Sequence, residues 1–523
     1  MAVTPTPTRL IVQWSGLIAG PILALLCFAL LPDEYLNASD QLVPFSDAGR
    51  MTTAIMVWMA TWWLTEAINV SVTALLPVVL FPLLGASDIR ETSAPYAHPL
   101  IFLFMGGFLL ALSMQRWGLD RRIALTTLRA VGTRPANMVG GFMAATAVLS
   151  AFVSNVATTA MMLPIALSVI QLVRQDGNQH ASEGESADVG MHDDQRSNFA
   201  ICMLLGLAYA ASIGGVATII GTAPNTFLVG FVSNSIAEPY RIEISFAGWM
   251  LIGVPFVVLF LPIAWLILTR VMYPVRIGEI KGGGEFVQRE LDVLGRINRG
   301  EWLTMIVFAC TAFCWITRRL LVQIEWTIGG ETVSVFGGLT DPGIAMTGAL
   351  ALFVIPVDVR RRQFVMNWAT AQKLPWGILL LFGGGLSLAA AIQVNGVAEF
   401  IGSQTRFFAG MPTFAIVLLV TTTVIFLTEL TSNTATTATM VPALAAIGPG
   451  LGVHPYLLIF PAAIAASCAF MLPIATPPNA IVFGSGQISI PQMMKAGIRL
   501  NLIGIVLVTL LAMSILMPVL GLE

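Results

Sequence analysis

The sequence predicts an all-α polytopic membrane protein made of two inverted repeats, and three observations support this fold class. Of its 523 residues, 56% are hydrophobic and only 10% are charged, and the mean hydropathy is +0.84. About eleven stretches are long and apolar enough to cross a bilayer as helices, which takes roughly twenty residues each. Several polar motifs occur twice, once in each half of the chain, at nearly constant spacing.

The composition argues against several other classes of protein. A water-soluble core of this size would need far more charged residues to cover its surface. The alternating apolar and polar strands of outer-membrane barrels do not occur in the sequence, so the spans are expected to be helices. Because the sequence has no extended basic patch, we expect no nucleic-acid partner. The long apolar segments instead predict contact with membrane lipid.

The predicted spans follow the apolar segments in chain order. They are approximately 11–31, 51–69, 71–85, 98–115, 199–231, 247–272, 302–321, 341–357, 376–394, 456–486 and 500–520. Two further apolar segments, 136–172 and 412–447, are too long for one span, and each carries a polar cluster in its middle. This pattern predicts two re-entrant helical hairpins, which enter and leave the membrane on the same side.

Polar segments divide the chain into parts. We expect a first transmembrane helix in residues 1–50, a first repeat in 51–275, a cytoplasmic linker in 276–300 and a second repeat in 301–523. Residues 174–198 contain almost nothing that could pack, and they are predicted to form a flexible cytoplasmic loop.

The distribution of Lys and Arg predicts the orientation of the chain. With the N-terminus inside and the hairpins not crossing, 20 of the 26 basic residues lie in cytoplasmic segments. Basic residues are enriched on the cytoplasmic side of membrane proteins, so this orientation is preferred over its reverse. We expect an integral protein of the cytoplasmic (inner) membrane with its N-terminus in the cytoplasm and its C-terminus outside.

Three pairs of motifs indicate an internal duplication. The pairs are LFMGG at 103–107 with LFGGG at 381–385, SNVATT at 154–159 with SNTATT at 432–437, and GTAPN at 221–225 with ATPPN at 475–479. The first two pairs are 278 residues apart and the third is 254 apart, a difference that matches the length of the polar loop missing from the second half. Equivalent segments cross the membrane in opposite directions, as in inverted-repeat transporters that work by alternating access.

The polar motifs lie where helices must break. Each Ser-Asn cluster lies mid-hairpin, where free N–H groups at half-helix N-termini suit an anion. Unwound carbonyls, hydroxyls and amide oxygens suit a small hard cation. The Pro-Asn elements interrupt the spans 199–231 and 456–486 and free further carbonyls. Bonding between packed helices and simple proline kinks are the alternatives, but occurrence in both halves favours a binding site.

Titratable residues are scarce in the predicted spans. Away from the span ends, only Glu66 and Glu429 look intramembrane, and no Lys or Arg does. Proton-coupled carriers normally keep a titratable relay at mid-membrane depth, so the neutral oxygen ligands favour sodium over protons. Glu429 directly precedes the second tip, and we interpret it as a brace rather than a proton relay. A divalent anion without a basic partner needs co-bound cations, so sodium is expected to bind first.

Other functional classes fit the sequence less well. An intramembrane enzyme would need a nucleophile with its base, or a metal motif. The chain has neither a His-Glu-x-x-His motif nor paired intramembrane aspartates. An anion channel has little need for an inverted repeat. We therefore expect a carrier that is not an enzyme and has no organic cofactor.

At these motifs the chain resembles the divalent anion:sodium symporter family, the carriers of di- and tricarboxylates and sulfate. The resemblance covers nearly the whole chain, including WLTEA at 63–67, both Ser-Asn tips and both Pro-Asn segments. It implies a homodimer in which a transport domain moves as an elevator against a fixed scaffold. It also implies sodium-coupled symport of a small divalent anion, with succinate, fumarate or malate as first candidates. Sulfate symport and sodium-independent dicarboxylate exchange are the alternatives.

The resemblance implies the site residues as well. The first sodium site would consist of Ser150, Ser154, Asn155 and the carbonyl of Gly221. The second would consist of Thr428, Thr431, Asn433 and the carbonyl of Ala475. The substrate would contact Ser154, Asn155, Val156, Ser432, Asn433 and Thr434, with Thr222, Thr476 and Pro477 lining the pocket. Val156 replaces the Thr that is usual in the family, which removes a hydroxyl from one side of the pocket.

Overall fold

The computed structural model describes residues 7–36, 41–132, 134–181, 189–236, 238–276, 283–328, 331–334, 336–404 and 410–521. The first half of the chain is helical. Its helices are α1 (Pro7–Leu30), α2 (Asp47–Thr65), α3 (Val70–Thr73), α4 (Leu76–Leu83), α5 (Ile89–Ser93), a 3₁₀ turn (Ala94–Ala97), α6 (Pro99–Trp117), α7 (Leu119–Val131), α8 (Pro135–Ser150), α9 (Asn155–Ala181), α10 (Val189–Gly215), α11 (Ala223–Asn234) and α12 (Phe246–Leu266), which a π-helical segment (Ile267–Met272) extends.

The second half repeats this pattern after a linker helix. Its helices are α13 (Gly283–Leu294), α14 (Arg299–Val322), α15 (Asp341–Val354), α16 (Trp368–Ala371), α17 (Trp376–Val394), α18 (Val397–Gln404), α19 (Thr413–Leu430), α20 (Asn433–Gly450), α21 (Tyr456–Ala466), α22 (Pro477–Phe483), α23 (Ile490–Leu511), a π-helical segment (Ala512–Leu516) and α24 (Met517–Leu520).

Short antiparallel hairpins occur in the connections between helices. The paired strands are β1 (Glu34–Leu36) with β2 (Leu42–Pro44), β3 (Glu325–Ile328) with β4 (Glu331–Ser334), and β5 (Pro356–Asp358) with β6 (Gln363–Phe364). Each sheet has two strands, so the helices carry the fold.

The length and composition of the helices agree with a polytopic membrane protein. Within the described residues, nine helices are long and apolar enough to cross a membrane, and three apolar helices are shorter. The nine include α9 and α19, one arm of each predicted hairpin. The predicted spans 199–231 and 456–486 are broken, as the Pro-Asn elements indicate, into α10 with α11 and α21 with α22. The other seven of the nine correspond to predicted spans. The predicted spans 71–85, 341–357 and 456–486 correspond to the three shorter apolar helices, and 51–69, which forms α2, is not among the nine.

Both long apolar segments form two helices separated by a short break. In the first, α8 ends at Ser150 and α9 begins at Asn155. In the second, α19 ends at Leu430 and α20 begins at Asn433. Ser and Asn favour helix N-termini because their side chains can bond free backbone N–H groups. Both breaks fall at the Ser-Asn clusters; at the first, Ser154 Oγ accepts a bond from the N–H of Ala157, whereas at the second the side chain of Ser432 makes no such bond.

The two halves interlock around their broken helices. Helix α9 of the first half packs against α22 of the second, and α20 of the second half packs against α11 of the first. Helices α10 and α21 are the most enclosed: 94% of the apolar part of α10 is buried, and so are all residues of α21 from Leu458 to Ala466. The core is therefore centred on the two helices that end at the Pro-Asn elements.

The loop predicted over residues 174–198 is largely helical, which corrects the sequence-based expectation. Helix α9 continues to Ala181 and α10 begins at Val189, while 182–188 lie outside the described residues. Once a helix has formed in an apolar segment, extending it costs little, since each added residue gains one hydrogen bond. Polar composition alone therefore does not end these two helices.

The linker predicted over 276–300 contains the amphipathic helix α13, although 277–282 lie outside the described part of the chain. Helix α13 packs against α7. The NH2 group of Arg121 lies 2.6 Å from Glu290 Oε2. Arg122 donates two bonds, of 3.1 and 3.2 Å, to the buried carboxylate of Glu301 at the start of α14. The first contact joins the linker helix to the first half, and the second joins α7 to the start of α14.

Candidate functional site

Three oxygen atoms converge at the break of the first hairpin. The Ser150 hydroxyl lies 2.6 Å from Asn155 Oδ1 and 2.7 Å from the carbonyl oxygen of Ala211 in α10. Ser150 is buried, whereas Asn155 is half-buried. A hydroxyl has one proton and can donate to one of these acceptors at a time. A small hard cation would satisfy all three oxygens together.

The second hairpin has the same arrangement. The Thr428 hydroxyl lies 2.9 Å from Asn433 Oδ1 and 2.9 Å from the carbonyl oxygen of Ala466 in α21. The two side chains are 278 residues from Ser150 and Asn155, as in the repeated motifs. We call these two clusters the first triad (Ser150, Asn155 and the Ala211 carbonyl) and the second triad (Thr428, Asn433 and the Ala466 carbonyl).

The asparagines of the Pro-Asn elements hold the unwound ends of α10 and α21. Asn225 Nδ2 donates to the carbonyls of Gly215 and Thr218, at 3.0 and 2.8 Å. Asn479 Nδ2 donates to the carbonyls of Ala469 and Leu472, at 3.2 and 3.0 Å. Both asparagines are fully buried. The sequence singles out the Pro-Asn motif but does not by itself assign a role to these side chains. The signal that could have indicated their role is that the asparagine occurs at the same position of the motif in both halves.

Two glycines bring the unwound segment against the first tip. A methyl group on Gly215 would lie 2.6 Å from Asn155 Oδ1, so no larger residue fits without moving that amide. A methyl group on Gly221 would lie 2.9 Å from the carbonyl oxygen of Ala151 and closer still to that of Gly215. The structure thus places Gly221, an expected contributor to the first cation site, beside the first hairpin.

Other expected ligands make contacts within their own segments. Ser154 Oγ accepts a 3.4 Å bond from the N–H of Ala157. The Thr431 hydroxyl lies 2.9 Å from the Leu427 carbonyl and 2.6 Å from the Thr436 hydroxyl. The buried Ala475 donates its N–H to the Leu472 carbonyl at 3.2 Å. These contacts involve no atom of either triad, and the side-chain oxygens that converge at the two breaks are those of Ser150, Thr428 and the two asparagines.

The residues expected to meet the substrate differ in exposure. Half-buried positions are Ser154, Asn155, Thr222, Ser432, Asn433 and Thr434. Val156 is 43% exposed, and Pro477 is also exposed. Thr476 is buried, and its hydroxyl accepts a 3.4 Å bond from the N–H of Asn479 at the start of α22. The hydroxyl of Thr476 is thus engaged as a helix cap.

Helix N-termini supply the positive potential at this site. Helices α9, α11 and α20 begin at Asn155, Ala223 and Asn433, beside the two breaks. The first N–H groups of a helix lack intrahelical partners and carry partial positive charge. None of the expected site residues is Lys or Arg. Backbone dipoles and bound cations would therefore have to balance an anionic ligand.

Glu429 contacts the unwound segment of the second half rather than a basic residue. Its carboxylate accepts bonds from the N–H groups of Phe470, Met471 and Leu472, at 2.7, 2.9 and 3.1 Å. It also accepts a 2.7 Å bond from Asn501 Nδ2. These contacts support the interpretation of Glu429 as a brace.

Comparison with known proteins identifies the family of the chain. The family model described as "Sodium:sulfate symporter transmembrane region" matches residues 22–522. The chain belongs to this family. Together with the nine membrane-capable helices of the described residues, the match establishes an integral membrane protein.

Relatives in the sodium:sulfate symporter family are named as transporters. The chain is 40% identical over 512 residues to the sodium-dependent dicarboxylate transporter SdcS of Staphylococcus saprophyticus, covering 98% of this chain and 93% of the relative. It is 39% identical to the SdcS protein of Staphylococcus aureus strain USA300, covering 98% and 92%.

Solved structures with low sequence identity share the fold. The YdaH transporter of Alcanivorax borkumensis superposes with a TM-score of 0.58 at 13% identity, covering 97% of this chain and 98% of that one. MtrF of Neisseria gonorrhoeae has a TM-score of 0.55 at 12% identity, covering 100% and 96%. At these identities the likeness concerns the fold alone.

Proposed function

We propose that this protein is a secondary active transporter that carries a small divalent anion into the cell together with sodium. The observation that carries this proposal is the duplicated triad, in which one hydroxyl faces two oxygen acceptors at equivalent points of both halves. Neutral oxygen ligands at this spacing suit a desolvated sodium ion.

A C4-dicarboxylate such as succinate, fumarate or malate is the proposed substrate. Support comes from the relatives, which are named sodium-dependent dicarboxylate transporters and cover nearly the whole chain. Two carboxylates match two hairpin tips, each with helix N–H groups and an Asn-containing cluster. Sulfate is the second candidate because the family description names it.

Sodium and substrate are proposed to bind in that order. A dianion placed between α9 and α20 would meet no basic side chain among the expected site residues. Bound sodium ions would close the two breaks and neutralise the substrate, so sodium binding would create the anion site. This coupling makes unaccompanied movement of either solute unfavourable.

Movement of the site across the membrane is proposed to follow an elevator mechanism in a homodimer. The interlocked helices α8–α11 and α19–α22 together contain both triads and pack against one another, which supports their movement as one body. The proposed orientation places the N-terminus in the cytoplasm and the C-terminus outside, as the distribution of basic residues indicates.

The central experiment measures radiolabelled succinate uptake into proteoliposomes containing the purified protein. With an inward sodium gradient we expect concentrative uptake, and replacing external sodium with choline should stop net uptake, because both triads would be empty. Liposomes without protein give the background. Counterflow of labelled for unlabelled succinate in choline would instead identify a sodium-independent exchanger. Competition by sulfate but not by fumarate or malate would identify a sulfate carrier.

Restoring the missing hydroxyl with Val156→Thr should change substrate preference without changing sodium dependence. The added hydroxyl supplies one hydrogen bond on the first side of the pocket, which should lower the KM for succinate relative to sulfate by about three- to tenfold. The measurement is competition uptake at saturating sodium, followed by a sodium titration.

The matched control is Val148→Thr, since Val148 lies in α8 of the same hairpin and is 60% exposed. It should leave both preference and sodium activation unchanged. A changed sodium requirement in Val156→Thr would show that position 156 belongs to a cation site rather than to the substrate pocket.

A further inference from the structure

The two triads have different electrostatic surroundings, and Glu429 is the cause. It follows Thr428 of the second triad directly in sequence and is only 3% exposed. Its four hydrogen-bond partners, three backbone N–H groups and the amide of Asn501, are all donors. An ionised carboxylate accepts in every direction, so this environment suits the charged form.

No arginine or lysine neutralises this carboxylate in the part of the chain that the structure describes: the ion pairs there involve other acids. Backbone and amide dipoles stabilise the charge locally but leave its net value unchanged. A cation in the second triad would therefore feel one buried negative charge close by.

The first half lacks this charge. The residue equivalent to Glu429, by the offset of 278, is Ala151. The Ala151 carbonyl accepts a bond from the hydroxyl of Thr218, the counterpart of Leu472 by the offset of 254. A neutral hydroxyl–carbonyl bond thus occupies the place where the second half uses a carboxylate.

The partner of Glu429 is missing from the first half as well. Gly253 of α12 lies against the carbonyl of Val216, and Gly497 of α23 lies against the equivalent carbonyl of Phe470. This shared contact shows which residues of α12 and α23 correspond to each other. In this alignment Asn501 corresponds to Val257. Ala151 and Val257 line an apolar cavity of about 410 Å³ in the first half. The charged side chain and its amide partner are therefore specific to the second half.

We propose that Glu429 makes the second triad the stronger of the two cation sites, so that sodium occupies it first. A unit charge within about 10 Å of a cation strengthens its binding by at least about tenfold at the effective dielectric of a protein interior. The first triad, with neutral surroundings, fills afterwards and completes the anion site. This inference rests on the proposed sodium-coupled function, and it adds the order and the residue that sets it.

The first experiment compares the two triads with Glu429 intact. Asn155→Ala leaves the second triad as the working cation site, and Asn433→Ala leaves the first. Thermal unfolding of each purified full-length variant is measured against sodium chloride, with choline chloride holding the ionic strength constant. We expect the sodium midpoint of Asn155→Ala to be lower than that of Asn433→Ala by at least about tenfold.

The second experiment removes the charge in both backgrounds. Glu429→Gln should raise the sodium midpoint by about tenfold with Asn155→Ala and by a clearly smaller factor with Asn433→Ala, because the Coulomb energy falls with distance from the charge. Asn501→Leu is the matched control, because it removes one donor to Glu429 and keeps the charge. It should shift the midpoint by less than about threefold.

Each outcome decides the inference. Equal midpoints in the two single variants, or a lower one in Asn433→Ala, would overturn it. So would a shift with Asn501→Leu as large as that with Glu429→Gln, since lost hydrogen bonds would then account for the effect. If Glu429→Gln does not fold, the comparison of the single variants still decides. Absence of any sodium response in the unmodified protein would overturn the proposed function, and the inference with it.

Discussion

Replacing either tip asparagine by alanine, Asn155→Ala or Asn433→Ala, is expected to lower sodium-driven succinate uptake by at least about 100-fold. Each change removes the amide oxygen from one triad and leaves the hydroxyl of Ser150 or Thr428 beside a backbone carbonyl alone. With one sodium missing, the charge of the dianion is incompletely balanced. The measurement is the initial rate of uptake in proteoliposomes at equal protein density.

The matched control for these variants is Asn367→Ala. Asn367 caps the short helix α16 by accepting a 2.9 Å bond from the N–H of Thr370, and it lies in a different polar connection. It should transport at the unmodified rate. Uptake near that rate in Asn155→Ala or Asn433→Ala would remove that asparagine from the cation sites and would leave the duplicated triad without its proposed role.

Much of the fold can be predicted from the sequence, because each key motif occurs in both halves and each copy indicates the same helix break. Ser-Asn clusters inside apolar segments predict the breaks at Asn155 and Asn433, and the structure begins α9 and α20 at these residues. The interruptions at the two Pro-Asn elements follow from the missing N–H of proline. Local chemistry decides each of these features, so the local sequence shows them.

The remainder of the site depends on contacts between distant segments. The third oxygen of each triad is a backbone carbonyl, of Ala211 or Ala466, and every residue has a carbonyl. The bond between Glu429 and Asn501 joins residues 72 positions apart. Such partners become visible only when the helices are packed. The motif could show that an oxygen site exists there, but it could not show which carbonyls complete it.

The halves are also less alike than their motifs suggest. Where the first half has Gly215 and Gly221, the second has Ala469 and Ala475. The first tip approaches its unwound segment so closely that a methyl group on Gly215 would collide with the Asn155 amide. The first triad is therefore the sterically tighter site, while the second has the additional buried charge.

Gly215→Ala is expected to lower uptake at low sodium by about 100-fold, because the new methyl group would lie 2.6 Å from Asn155 Oδ1. The amide must then move away from Ser150, which opens the first triad. Gly215 is the last residue of α10, and alanine favours a helix by about 1 kcal/mol over glycine. The fold should therefore persist while sodium binding weakens. Uptake rates across a sodium titration measure this change.

Gly504→Ala provides the matched control. Gly504 lies in α23, and a methyl group there would have its nearest neighbours at 3.6 and 3.7 Å, which is ordinary packing distance. This variant should keep the unmodified sodium activation and melting temperature. Gly215→Ala should keep the melting temperature in choline but need much more sodium for half-maximal uptake. An unchanged sodium requirement would mean that the Asn155 amide can shift without loss, so the close approach of α10 to the first tip would not set the geometry of the cation site.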